Sequence, residues 1–167
     1  MAIANKIQDS GNATMGDASP EADLKVAIDQ LETNLVTPIM PGEMASWAEQ
    51  VHSAWTEAAT QIQYHVRHLH PQQLEAIAQQ DPELLPRVEL LKAEDMAIEE
   101  QFATLNQAVT QTTEHASKLE PDEEKAQKHI QLLIDDGLSF IARVRKQTVA
   151  VQTWYVEAFN RDNGAVG

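Results

Sequence analysis

Apolar residues recur every three or four positions along most of this chain, which is the spacing of helices with one buried face. Prolines and glycines divide the pattern into four long stretches and one short one. The expected helices run from Pro20 to before Pro38, from about Glu43 to His70, from Pro82 or Pro86 to about Lys118, and from the break at Pro121 towards Gly164, with a short extra helix at 72–81. Pro71 is expected either to end the second helix or to bend it. Long helices joined by short turns favour an up-down-up-down four-helix bundle.

One carboxylate interrupts the third apolar stretch. Leu91, Asp95 and Ile98 continue a single stripe that runs from Leu84 to Val109 in steps of three and four residues. Asp95 is therefore expected to point into the core. Because a buried carboxylate is costly unless it is protonated, paired or bound to a metal ion, we expect a neighbouring helix to supply a partner.

Composition agrees with an all-α protein of one domain. The chain has 167 residues, of which 43% are hydrophobic and only 6 are glycine, and a single core is normal at this length. Residues 1–19 lack periodicity and are expected to form a flexible arm, which leaves 20–167 as the helical domain. We find no apolar stretch that resembles a signal peptide or approaches the roughly 20 residues of a membrane span.

The net charge of the chain limits the classes of partner that we expect. The 12 basic and 26 acidic residues give a net charge of −14, which opposes binding to nucleic acid or to an anionic membrane. The absence of cysteine excludes disulfides and fits a reducing compartment, so the cytoplasm is expected. The remaining partners are another protein or a second copy of the chain in a homodimer. No nucleophile and base pair, phosphate loop or nucleotide fingerprint indicates an enzyme.

Three segments resemble the hemerythrin-like, or HHE, family of cation-binding bundles. They are His65-Val66 before a proline-containing hairpin, Glu94-Asp95 after Pro86-Arg87-Val88-Glu89-Leu90-Leu91, and the tail from Glu157 to Gly164. The resemblance covers roughly residues 21–167. It implies a four-helix bundle whose inward histidines and carboxylates hold a di-iron centre for oxygen carriage, oxygen sensing or iron handling.

Position by position, the resemblance implies a depleted set of ligands. His65 matches the family's histidine on helix two, whereas His70 stands where a carboxylate is expected. Asp95 occupies the histidine position on helix three, and Gln147 and Val151 occupy the histidine and carboxylate positions on helix four. The candidate metal ligands are His65 and Asp95, with His70 and Gln147 as additions. Such a set is poor for a di-iron centre, which needs several nitrogen and oxygen donors.

Two interpretations of His65 and Asp95 are open. In the first, they form a buried pair, no metal or other cofactor is bound, and the protein is a non-enzymatic interaction or sensing protein. In the second, they retain iron or another metal ion for oxygen or stress sensing, or for storage. His68 and His70 are expected to be exposed at the helix end, because positions 65, 68 and 70 do not share one face of an α-helix.

His115 supports an alternative from another class. The run His115-Ala116-Ser117-Lys118 has the His-x-x-Lys spacing of histidine phosphotransfer bundles. In those bundles an exposed histidine accepts a phosphoryl group beside a positive charge. The position of His115 at a helix end, without the glycine context of such sites, counts against this interpretation.

Overall fold

The structure is a computed structural model that describes residues 19–118 and 123–163. Within these ranges it is a helical bundle without β-strands, which confirms the all-α prediction. Its helices are α1 (Pro20–Val36), α2 (Met44–Tyr64), α3 (His70–Gln80), α4 (Leu85–Ala116) and α5 (Glu123–Asn163). The expected arm at 1–19 lies outside the described residues except for Ser19, and the expected break at Pro121 lies outside them as well.

Helix α1 begins where the sequence predicts. The hydroxyl of Ser19 accepts a hydrogen bond from the backbone N–H of Ala22 at 3.2 Å. Pro20 occupies the first turn, where its missing N–H leaves no hydrogen bond unmade. The apolar face of α1 packs on α2 and α5 and consists of Leu24, Ala27, Ile28, Leu31 and Leu35.

Helix two and the short extra helix form one continuous helical run. Residues His65–Leu69 form a π-helical turn between α2 and α3, in which the N–H of His70 donates to the carbonyl of His65. Of the two possibilities at Pro71, an end or a bend of the helix, the structure excludes the end, because the helical run continues past the proline. A proline lacks the N–H donor and crowds the carbonyl four residues before it, and a π turn is one of the ways in which a helix accommodates such a break.

Asp81 marks the end of this run. Its side chain accepts a hydrogen bond from the N–H of Glu83 at 3.1 Å and so begins a short 3₁₀ turn, Pro82–Leu84, that leads directly into α4. Helix α4 then presents the predicted stripe inward, with Asp95 buried among apolar residues.

Buried apolar side chains form two clusters. The larger cluster joins α1, α2, α4 and α5, and the smaller one joins α3, the first turns of α4 and the last turns of α5. On three helical runs the change from one cluster to the other occurs between residues seven or eight positions apart: Val66 and Leu74, Leu91 and Ile98, Val144 and Val151. None of the described helices is long and apolar enough to cross a bilayer.

Two features hold α1 against α5. Arg145 forms ion pairs with Asp29 at 2.7 Å and with Glu32 at 2.6 Å. At Gly137 the helices approach so closely that a Cβ atom would lie 2.8 Å from Cδ1 of Leu35, which is itself buried. A glycine at this position of α5 therefore permits the packing of α1.

Replacing Gly137 with leucine tests this close approach. Leucine is the better helix former by about 0.8 kcal/mol, but its side chain would overlap Leu35. We expect a net loss of about 1–3 kcal/mol in the free energy of unfolding, measured by urea denaturation. Adding Leu35→Ala should recover part of the loss, and a stabilised Gly137→Leu protein would contradict the packing.

Candidate functional site

Four polar residues form a buried layer between the two apolar clusters. The layer consists of His65, His70, Asp95 and Gln147, each no more than 7% exposed. His65 begins the π turn and His70 begins α3, whereas Asp95 comes from α4 and Gln147 from α5. The structure thus brings together all four residues that the sequence singled out.

Asp95 receives two hydrogen bonds on the same oxygen. Nδ1 of His70 donates to Oδ1 of Asp95 at 2.9 Å, and the side-chain amide of Gln147 donates to the same atom at 2.9 Å. The amide of Gln147 also donates to the backbone carbonyl of Leu91 at 2.8 Å. Neighbouring helices therefore supply the expected partners, and these bonds compensate the burial of the carboxylate.

The partner of Asp95 is His70, and the expected pair between His65 and Asp95 does not form. Nδ1 of His65 donates instead to the backbone carbonyl of Gln61 at 3.0 Å. The expectation that His70 is exposed was also wrong, whereas His68 is exposed as predicted.

The π turn explains both corrections. Its hydrogen bonds join residues five positions apart, so His65 and His70 lie on nearly the same side of the helix, which an α-helix would not allow. Their ring centroids are 6.1 Å apart and the ring planes meet at 81°. A periodicity of 3.6 residues cannot reveal this arrangement.

Burial dominates the electrostatics of His65. It lowers the pKa of His65 below the ordinary value of 6.5, while the hydrogen bond to Gln61 opposes this shift. A positive charge on the nearby His70 would lower the pKa of His65 further, and the negative charge of Glu21 on α1 raises it. His65 is therefore neutral at pH 7. Because a backbone carbonyl can only accept, its proton resides on Nδ1 and its Nε2 carries a lone pair.

Two nitrogens of the layer have no hydrogen-bond partner. Nε2 of His65 and Nε2 of His70 are both buried and unpaired, and Oγ1 of Thr148 is the one other such buried side-chain atom in the described ranges. His70 uses its Nδ1 proton on Asp95, so a neutral His70 ring also presents a lone pair at Nε2. An unpaired buried polar atom costs about 1–3 kcal/mol. A hydrogen-bond donor or a cation would therefore be stabilised beside either nitrogen.

Glu94 precedes Asp95 but does not belong to the layer. Its carboxylate is half-buried beside α5, where Arg143 donates to its two oxygens at 2.5 Å and 3.1 Å. The hydrogen bonds and charge of Arg143 lower the pKa of Glu94. Of the Glu94-Asp95 pair, only Asp95 faces the core.

The di-iron centre implied by the resemblance does not fit this layer. Among residues 19–118 and 123–163 there is no group of three or more His, Cys, Asp or Glu side chains that could hold a metal ion. Val151, at the expected carboxylate position, is fully buried in the smaller apolar cluster. Two donors from the protein already occupy Oδ1 of Asp95. Iron of this type requires more nitrogen and oxygen donors than the layer offers.

His115 lies apart from the layer, in the last turn of α4. Its exposed ring is 5.9 Å from the ring of His129 on α5, and its Nδ1 contacts the carbonyl of Gln111 at 2.6 Å. These contacts do not test phosphotransfer, which stays a prediction.

The chain has no match among known proteins in any of three comparisons. No family model matches it, no curated protein matches it, and no solved structure matches it. The hemerythrin-like resemblance therefore rests on the quoted residues alone and stays a prediction.

Sequence reasoning missed two members of the network, the backbone carbonyls of Gln61 and Leu91. Backbone acceptors carry no sequence signature, because every residue has one. The π turn does leave a signal. Pro71 interrupts a helical pattern that continues on both sides, and a continuous helix with an internal proline requires a kink or a widened turn.

Asp95 should be the most sensitive position of the layer. Asp95→Leu would leave the Nδ1–H of His70 without its acceptor, so we expect a loss of about 3–5 kcal/mol in the free energy of unfolding. Asp95→Asn retains an acceptor oxygen and should lose less, about 1–2 kcal/mol. Urea denaturation measures both. Glu100→Gln, on an exposed position of α4, is the matched control and should change stability by less than about 0.5 kcal/mol. Equal losses in Asp95→Leu and the control would contradict the network.

The lowered pKa of His65 predicts a loss of stability in acid. Above pH 6.5 both the folded and the unfolded states hold His65 neutral. Below pH 6.5 the unfolded state takes up a proton that the folded state resists, so stability should fall by at most about 1.4 kcal/mol per pH unit. His65→Gln removes this contribution. Its stability measured from pH 7.5 to pH 5 should decline less steeply than that of the wild type, and parallel curves would count against the shift.

Proposed function

We propose that this chain is a non-enzymatic, hemerythrin-like up-down-up-down bundle of the cytoplasm in which a hydrogen-bonded polar layer replaces the di-iron centre. It serves as an interaction or sensing protein. One observation carries the proposal: Oδ1 of Asp95 accepts hydrogen bonds from both His70 and Gln147. This oxygen, which a metal ion could otherwise use, satisfies donors of the protein instead.

The residues that differ from the family pattern either form hydrogen bonds within the layer or extend the apolar core. His70 donates to Asp95, and Gln147 donates to Asp95 and to the carbonyl of Leu91. Val151 extends the smaller apolar cluster where the resemblance implies a carboxylate. Asp95 Oδ1 and the amide of Gln147 are matched by these bonds, which supports a layer adapted to a state without iron, while Nε2 of His65 and Nε2 of His70 stay unpaired.

The π turn favours sensing over a purely structural role. Such turns occur frequently at functional sites, and this one contains His65 and precedes His70 directly. A layer selected only for stability would pair or remove the two free Nε2 atoms, because each is costly when buried. Their presence in the buried layer supports a role in binding.

The proposal predicts a protein without iron. Protein purified without chelator, incubated anaerobically with ferrous iron and then desalted should retain far less than one iron per chain, measured by elemental analysis. The layer offers too few donors to complete the coordination of the ion. Retention of one or two irons per chain in the wild type would refute the proposal.

A restoring variant provides the matched control. His70→Glu, Asp95→His, Gln147→His and Val151→Glu together return the ligand types that the resemblance implies at these positions. The folded variant should gain iron under the loading conditions in which the wild type does not. A folded variant that still fails to bind iron would remove support for the hemerythrin-like part of the proposal.

A further inference from the structure

Two imidazole nitrogens remain available after the hydrogen bonds of the layer are assigned. Nε2 of His65 and Nε2 of His70 are both buried and unpaired. Each ring is oriented through its Nδ1, by the carbonyl of Gln61 in one case and by Asp95 in the other. Histidines that bind metals are commonly oriented in this way, with the second ring nitrogen donating to a carbonyl or a carboxylate.

The two rings are close enough for one ion to contact both. With metal–nitrogen bonds of about 2 Å and a nitrogen about 1 Å from the ring centre, two imidazoles on opposite sides of an ion have centres about 6 Å apart. The centroids of His65 and His70 are 6.1 Å apart. The angle of 81° between the ring planes is compatible, because in-line coordination leaves each ring free to turn about its metal–nitrogen bond.

The number of available donor atoms favours an ion that needs only two ligands. Zinc sites are almost always four-coordinate, and ferrous iron takes still more ligands. No third His, Cys, Asp or Glu in the described parts of the chain completes such a set. Monovalent copper has a filled d shell, bonds well to imidazole and is satisfied by two nitrogens in line.

The charge of the ion also favours monovalent copper. A single positive charge costs less to bury than the double charge of zinc or ferrous iron. The negative carboxylate of Asp95 lies one hydrogen bond beyond His70, at 2.9 Å. This arrangement offsets the charge of an ion bound at Nε2 and increases the basicity of the ring.

We propose that His65 and His70 form a two-coordinate site for a single monovalent copper ion, located between the two apolar clusters. The inference rests on the proposed function, because a di-iron centre would require the same part of the core. Copper would satisfy both free nitrogens at once and so stabilise the layer. Reduced copper is then the signal to which the bundle responds.

Anaerobic titration of the full chain with monovalent copper, in competition with bicinchoninate, tests the site. We expect one copper per chain, a higher unfolding temperature in the loaded protein, and two nitrogen neighbours in X-ray absorption. His65→Gln and His70→Gln should each abolish this binding. Asp95→Asn should weaken it by about 10–100-fold, because the carboxylate acts through His70.

Controls separate the layer from the other histidines and from loss of fold. His68→Gln and His115→Gln change exposed residues and should bind copper like the wild type. His65→Gln leaves the pair between His70 and Asp95 intact, so it serves as the folded variant if His70→Gln unfolds, with circular dichroism as the check.

Three results would overturn the copper site. They are a folded wild type that binds no copper, stoichiometric binding that persists in His65→Gln, and zinc bound in preference to copper by the same two histidines. The iron measurement distinguishes this failure from failure of the proposed function. A protein that takes neither iron nor copper keeps the proposed function and loses the copper site, whereas a protein that takes iron loses both.

Discussion

The arrangement of the bundle depends on one buried carboxylate. Asp95 lies between two apolar clusters and is tolerated there because α3 and α5 each place a donor 2.9 Å from its Oδ1. The hydrophobic effect has no preferred direction, whereas a hydrogen bond is sensitive to shifts of a few tenths of an ångström. The layer therefore fixes the mutual register of α3, α4 and α5 more strictly than the two clusters could.

The π turn extends this constraint on helix register to residues that precede His70 in the chain. Because the turn places His65 and His70 on the same side, the pairing of His70 with Asp95 also fixes the position of His65 against Gln61 and near Glu21. The π turn is therefore the common geometric origin of three properties. They are the hydrogen bonds of Asp95, the tautomers of the two imidazoles and the lowered pKa of His65. The chemical character of the site is inseparable from this local irregularity of the helix.

Much of this fold can be predicted from periodicity, because burial on one face of a helix is directly encoded. The inward stripe of α4, the inward residues of α1 and the burial of Asp95 all follow from steps of three and four residues. The partner of Asp95 does not follow from this periodicity. The π turn contains one residue more than an α-helical turn, so it shifts the helical period of every residue after it. A regular period assigns His70 to the surface, and the π turn places it in the core. Charge balance could predict that a partner exists but could not choose between His65 and His70.

The π turn also makes the length of this segment as important as its composition. It holds one residue more per turn than an α-helix, so deleting any one residue of His65–Leu69 would allow a regular helix to form. Four residues of that regular helix turn the chain about as far as the five residues of the π turn do, so Leu74 and Ile77 would still face the smaller cluster. Exposed positions such as Arg67 and His68 can vary in identity. The same five residues wound as an α-helix would instead rotate α3 by about 100° and turn His70 out of the core, so the position of His70 depends on the wide turn and not on the identity of the exposed residues within it.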